Sequence, residues 1–485
     1  MSEHAPGRET AASQNRQRRW LWAACLGALG VGLLWLMITK SLVAYLAEAH
    51  PRIAIAIHPS DSAALLKLAD RRLDTLLDAL ASKAAPATSG DGRPAADPPP
   101  APSPEASSAT ASNANPELSG DDRGELAEIE RMTRLALTDD PLNAQATRIL
   151  GQVAELNSDE KQAARYMRAA AGLSLHETYA VIWLMRKAFA DKDYEGTVHW
   201  AEAILQTRSQ SNAIVLPILA RVAEDETARG YLDTLIKSDP PWRAQFFAYL
   251  SQYISDARTP LRLLLLLKDT AKPPTTQELH YYLDFLIAHK LYDVAYYTWL
   301  QFLPTEDLAK VGFVFNGDFA GEPIGLPFDW VIGAGSGVTA EILPMPTQSD
   351  RRALYVAFGL GRVEFPNVSE LMLLAPGRYK LVGKVEGEIV GRRGLSWRVA
   401  CAEGGAQPAG ESPMLLGKMA SSTTFEADIT VPDTDCRAQY LRLEFDARSA
   451  SEQFVSGSVW FSDLAITRAK EPAQAEDAPR QPDDR

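Results

Sequence analysis

Cys401 and Cys436 are the residues whose type and setting best suit a covalent reaction within this 485-residue chain. No Cys-x-x-Cys or clustered histidine accompanies them, so zinc ligation is disfavoured. In an oxidising compartment the pair is a candidate disulfide. Closing that loop would stabilise the fold by about 3–4 kcal/mol on the chain-entropy account. The alternative is two buried free thiols. Other reactive motifs each lack a part. His176-Glu177 is followed by Ala180 where a zinc helix needs its second histidine. Gly333-Ala334-Gly335-Ser336-Gly337 has neither the Lys-Ser/Thr of a phosphate loop nor the spacing of a nucleophile elbow. His199 and His280 stand alone in helical patterns, and Asp433 with Asp435 in a turn does not define a glycosidase pair. No catalytic or cofactor-binding residue is assigned, and the chain is expected not to be an enzyme.

The elements that hold these residues begin with an apolar run. Arg16, Arg18 and Arg19 precede an uncharged stretch from Trp20 to Thr39, about long enough to cross a bilayer as a helix. Trp20, Trp22 and Trp35 fall toward its ends, where amphipathic rings prefer the interface. The positive-inside rule predicts a cytoplasmic tail (1–19), a transmembrane helix (20–39) and the bulk across the membrane. Cys25 lies inside this run. A cleaved signal with Ala47-Glu48-Ala49 as its small-residue site is the rival reading. The net charge of −13 argues against a general nucleic-acid binder, which needs a basic face. A chain of this length implies more than one domain.

The middle of the chain is helical and periodic. Leu150-Gly151 and Leu184-Met185, Ala136, Ala170 and Ile204, and Ala163 and Thr197 recur at a step of about 34 residues. Small residues let paired helices approach, and Pro141 falls between one unit and the next. Over roughly 51–304 the chain resembles tetratricopeptide repeats, best around 124–205 and worst from 210 to 275. Arg52-Ile53-Ala54, Pro59, Ala64 and Leu68-Ala69 match Arg134-Leu135-Ala136, Pro141, Ala146 and Leu150-Gly151 in spacing. Juxtamembrane helices (41–82) are therefore expected to be repeat-like and to pack against the array (121–304) beyond a Pro/Ala/Ser-rich linker (83–120), whose composition predicts disorder. Stacked helix pairs imply a concave face for a partner protein.

After Leu303-Pro304 the period falls to two, as in Leu395/Trp397/Val399/Cys401 and Leu441/Leu443/Phe445. Strands are predicted at 313–319, 338–343, 353–358, 378–387, 395–401, 424–430, 440–446 and 457–467, and many short strands mean a sandwich or barrel. Asn316-Gly317-Asp318-Phe319, Trp330 and Trp460-Phe461-Ser462-Asp463-Leu464 resemble jelly-roll carbohydrate-binding modules over residues 311–468. That resemblance implies first and last strands side by side and a structural calcium ion, for which Asp318 and Asp463 match the expected ligand positions. Two further acidic positions of the family are Ala320 and Ser462 here. Sugar binding implies exposed aromatic faces. Alternation groups Trp397 with Leu395 and Val399, and Trp460 with Leu464 and Ile466, which predicts that both are core. Tyr355, Tyr379 and Tyr440 are alternative platforms, and Arg392-Arg393 could meet an acidic glycan.

The fold class expected is thus multidomain: a transmembrane helix, all-α tetratricopeptide-like repeats and a C-terminal all-β jelly-roll sandwich with a disordered tail (469–485). The function expected is a periplasmic scaffold of the bacterial inner membrane in polysaccharide assembly or export. Its repeats would hold a periplasmic or inner-membrane protein, and its sandwich would take a polysaccharide through residues not identified by the sequence. A purely protein-binding assembly factor is the alternative, and a glycan-modifying enzyme the third reading.

Overall fold

The computed structural model describes residues 22, 26–33, 35, 45–84, 118–207, 211–254, 256–346, 348–404 and 407–469. The tail 1–19, Cys25, linker residues 85–117 and residues 470–485 lie outside them. Half of the expected span 20–39 does too; among the described residues no helix is long and apolar enough to cross a membrane. The chain divides into two compact units, residues 1–232 and 233–485.

The first unit is all helical. Its helices are α1 (Pro51–Ile57), α2 (Ser62–Ala84), α3 (Gly120–Asp139), α4 (Ala144–Leu156), α5 (Glu160–Leu173), α6 (Thr178–Ala190), α7 (Tyr194–Thr207) and α8 (Asn212–Glu224), and α9 (Arg229–Lys237) spans the division. Local signals set the starts. The Ser119 hydroxyl accepts from the Asp122 N–H at 3.2 Å while the Asp122 carboxylate accepts from the Ser119 N–H at 3.0 Å, a capping box for α3. The α4–α5 turn passes through Ser158 at φ 62°, and the α6–α7 turn through Lys192 at φ 60°. Each is closed by the same local cap, Asp159 N–H to Ala154 C=O and Asp193 N–H to Ala188 C=O. Two hairpins therefore repeat one geometry at the step seen in the sequence. Within the first of them, a Cβ at Gly151 would stand 2.9 Å from Met167 Cε, so α4 and α5 approach closely at that glycine.

Helix α2 belongs to this array. Leu65, Leu66, Ala69, Leu73, Leu76 and Leu80 share one core with Leu126, Ile129, Met132 and Ala136 of α3 and Ala146, Ile149 and Val153 of α4. Arg148 of α4 reaches Asp70 of α2 at 2.7 Å and Glu177 before α6 at 2.9 Å. Lys83 lies 3.1 Å from Asp122, which sets the end of α2 beside the start of α3. Residues 83–84, assigned to the linker by composition, are the last of α2, and Gly120 is the first of α3. Pro217 inside α8 interrupts the pattern where the repeat signal fades.

The second unit joins helices to strands. Helices α10 (Arg243–Tyr253), α11 (Arg258–Lys268), α12 (Thr276–Ala288), α13 (Tyr292–Phe302) and α14 (Thr305–Leu308) precede β1 (Val331–Ile332), β2 (Val338–Met345), β3 (Gln348–Phe358), β4 (Val368–Met372), β5 (Gly377–Gly391), β6 (Leu395–Cys401), β7 (Gly410–Glu411), β8 (Gly417–Val431), β9 (Gln439–Phe445) and β10 (Val455–Arg468). Buried Arg243 bonds buried Glu278 at 2.8 Å, pinning α10 to α12. Helix α13 lies against the loops of the sandwich: the Trp299 ring is 5.1 Å from Phe315 and 5.7 Å from Phe328, and the Arg437 guanidinium sits over Tyr292. The switch from helix to strand near residues 304–311 is therefore not where the two compact units divide.

The strands form two five-stranded sheets, β1-β4-β9-β6-β7 and β2-β3-β10-β5-β8, with antiparallel pairing throughout. They face each other as a sandwich whose centre is Trp397 of β6 against Phe461 of β10 and against Trp330. The Cys401–Cys436 disulfide is formed and ties the end of β6 to the approach to β9. The strand expected at 313–319 is absent; that segment is a series of bends and turns.

Candidate functional site

The two sequence signatures meet, but as loop on strand. Asn316 clamps its own loop, its side chain accepting from the Gly321 N–H at 2.9 Å and donating to the Gly321 C=O at 3.0 Å. The Trp330 indole donates to the Asn316 carbonyl at 3.1 Å, and Phe319 packs 5.2 Å from Trp330. The Gly317 carbonyl accepts from the Leu464 N–H at 2.8 Å, and a Cβ on Gly317 would fall 2.1 Å from the Leu464 oxygen. The signature glycine is there because two backbones touch. Positive φ at Asn316 and Phe319 turns the chain away from an extended path, which is why these residues are not a first strand.

The tryptophans sort differently from the expectation. Trp330 and Trp397 are fully buried. Trp460 is not core. Strand β10 carries a bulge between Ser462 and Ala465, with Asp463 at φ 53°. The extra residue changes the phase of the alternation. Val459 and Phe461 point inward before it, and Leu464 and Ile466 point inward after it, leaving Trp460 on the outer face. There it pairs across strands with Tyr355 of β3, the ring centroids 4.4 Å apart and tilted by 35°. The register extends this row to Glu341 on β2 and Glu386 on β5. Thr339, Ala357, Ser458 and Glu388 form the adjacent row. The result is a half-buried aromatic pair flanked by carboxylates on an otherwise polar sheet face.

Asp463 projects from the bulge into a cationic clasp, with Arg351 at 2.6 Å and Lys384 at 2.9 Å on its two oxygens. Burial opposes its ionisation, but the hydrogen bonds and charges of Lys384 and Arg351 prevail and hold the carboxyl below its ordinary range. Asp318 is exposed and accepts from the Ala320 N–H at 3.2 Å. This donor set does not fit calcium. A hard dication needs several free oxygens, and both of those on Asp463 are held by cations. Among the described residues no group of three or more His, Cys, Asp or Glu is arranged to hold a metal.

The remaining candidates scatter. Tyr379 is buried and donates to the Ala375 carbonyl at 2.8 Å, while Tyr440 lies on the other sheet under the Arg442 guanidinium. Arg393 pairs with Glu452 at 3.2 Å, and Arg392 is exposed beside it. His280 lies 3.4 Å from Asp284, and the His199 ring packs edge-on to Trp200. No catalytic constellation is formed by these groups. Sequence alternation missed the aromatic face because the bulge carries no compositional mark; only the positive φ at an Asp, a residue that tolerates it, betrays the site.

Comparison with protein-family models finds no match, and comparison with curated proteins finds none. Several solved structures are similar to the β-sandwich region. One is described as "CBM4 structure and function", with 14% identity, a TM-score of 0.24, and coverage of 32% of this chain and 99% of that one. A putative sugar binding protein from Bacteroides thetaiotaomicron VPI-5482 has 12% identity and a TM-score of 0.25, covering 33% of this chain and 100% of its own. The CBM22-1 xylan-binding domain of Paenibacillus barcinonensis Xyn10C has 14% identity and a TM-score of 0.19, covering 30% of this chain and 87% of its own.

Proposed function

We propose that this chain is a non-catalytic envelope scaffold whose β-sandwich binds glycan on the face carrying Trp460 and Tyr355. The observation that carries the reading is the outward aromatic pair itself. Two large rings stacked on each other on the outer sheet face form an apolar patch against which a pyranose ring can pack, and Glu341, Glu386 and Glu388 supply acceptors for its hydroxyls. The chain would be held in a bacterial inner membrane by residues 20–39, with its tail cytoplasmic and its bulk periplasmic. The formed Cys401–Cys436 bridge supports an oxidising compartment. Its helical array, with tetratricopeptide-like spacing, would hold a protein partner, and the process served would be assembly or export of a surface polysaccharide.

The test is a glycan array probed with the full chain in detergent. Trp460→Ala and Tyr355→Ala should each weaken the wild-type signal by roughly tenfold or more, as expected for a central aromatic contact. Unfolding temperatures should stay near the wild-type value, because neither ring is in the core. A wild-type chain that binds no glycan, or variants that bind as well as wild type, would overturn the reading.

A second reading, a purely protein-binding assembly factor, is favoured by one feature of the first unit. Leu142, Leu173 and Leu175 stand exposed at the turns between successive hairpins. A partner that co-purifies with the wild type but not with Leu142→Asp, in a chain that binds no glycan, would favour it.

A further inference from the structure

A second site lies elsewhere in the same unit, between α13 and the sandwich. A cavity of about 440 Å³ is walled by the rings of Tyr296, Trp299, Phe313, Phe315 and Phe328, and by Glu370 of β4. Phe313 in its wall is 41% exposed. Glu370 is 2% exposed and Trp299 is 1% exposed. Glu370 sits on the inward face of β4, opposite Leu441, where a side chain is normally apolar. One of its oxygens accepts from the Phe315 N–H at 2.7 Å. Its other oxygen, Oε2, has no hydrogen-bond partner, and neither does the indole Nε1 of Trp299. Two buried polar atoms in the wall of one cavity thus go unsatisfied, which leaves their lost hydration uncompensated.

The charge balance narrows what would satisfy them. The groups acting on the Glu370 carboxyl are burial, the Phe315 N–H and a second buried acid, Asp329; none is cationic. Asp329 is itself held by the Ile324 and Trp330 N–H groups and offers no counter-charge. The aromatic walls add the negative faces of their rings. A cation gains from the two acids and from the ring faces, and an anion is repelled by them. The unpaired indole N–H, in contrast, asks for an oxygen acceptor.

We propose that this cavity binds a small protonated amine that also carries a hydroxyl, its ammonium donating to a Glu370 carboxylate that releases its proton to solvent as the amine binds, and its oxygen accepting from Trp299 between the rings of Tyr296, Phe315 and Phe328. The site is separate from the Trp460–Tyr355 face and does not depend on glycan binding there.

Ethanolamine, 1-propylamine and ethylene glycol titrated calorimetrically into the full chain in detergent separate the contributions. Ethanolamine should bind at least about tenfold more tightly than ethylene glycol, which lacks the charge, and several-fold more tightly than 1-propylamine, which lacks the oxygen. Glu370→Gln keeps an acceptor for the Phe315 N–H but presents an amide to the cavity. It should weaken ethanolamine by about tenfold or more and leave ethylene glycol unchanged. Trp299→Phe should erase the preference for ethanolamine over 1-propylamine, and the wild-type indole N–H resonance of Trp299 should shift on addition of ethanolamine. Should Glu370→Gln fail to fold, the ligand ranking in wild type and the Trp299→Phe comparison still decide. Equal binding of ethylene glycol and ethanolamine, unchanged binding by a folded Glu370→Gln, or no binding of any of the three would overturn the proposal.

Discussion

Glu370 and Asp463 respond to pH in opposite senses, and both responses follow from their surroundings. Burial pushes the Glu370 carboxyl well above its ordinary range, so it stays protonated in the fold at a pH where the unfolded chain has released its proton. The unfolded state is then favoured progressively as pH rises above about 4.3, until the folded carboxyl also ionises. Glu370→Gln removes this penalty. Its melting temperature should exceed that of wild type at pH 8, and the gap should close toward pH 4. The Lys384 and Arg351 clasp does the reverse for Asp463. Its contribution is present above about pH 3.9 and is lost as pH falls through its lowered folded value. Asp463→Asn, which tolerates the same positive φ, should therefore destabilise at pH 7 and match wild type in strong acid; a melting series across pH checks both. At this scale the sequence was a partial guide. Trp397 could be assigned to the core because its strand alternates without a break, whereas Trp460 could not, because the bulge reverses the phase after it. Glu370 was invisible because nothing in Val368-Ser369-Glu370-Leu371-Met372 marks an acid as inward-facing.

The elements were more legible than their ends. Helix pairs announced themselves through small residues at a fixed step, and α2, part of the early segment whose spacing matches the array, shares a core with α3 and α4. Three strands escaped notice for physical reasons. β1 and β7 are two residues each, too short for a period, and all five residues of β4 are buried, which erases alternation. Two predictions belong here. Because Lys83 and Asp122 are in contact, replacing residues 85–117 with a loop of about six residues should leave the helices in place and raise stability by about 1–2 kcal/mol through a lower closure entropy. Denaturant midpoints measure it, and loss of helical signal would show that α2 needs the longer connection. Cys401→Ser with Cys436→Ser opens a loop of 35 residues and should cost about 3–4 kcal/mol, read as the same midpoint shift.

At the scale of the whole molecule, the second compact unit includes α10–α14 as well as the sandwich. A fragment covering residues 233–469 should unfold cooperatively by itself. A fragment starting at residue 311 would lose Trp299 from Phe315 and Phe328, and should be less stable by about 3–5 kcal/mol, the usual cost of deleting a buried tryptophan. Thermal denaturation of the two fragments compares them directly. The sequence placed the change of period near residue 304 but gave no sign that α13 would be a wall of the sandwich, since its burying face is aromatic in the same way as any core helix. The final strand has a consequence of another kind. β10 lies between β3 and β5 at the middle of its sheet and receives the loop at Gly317, so the last strand of the sandwich to be synthesised is the one its sheet is built around. Order of synthesis runs against order of assembly. A nascent chain has no closed sandwich until β10 has been delivered, which leaves β3 and β5 without their shared partner until then.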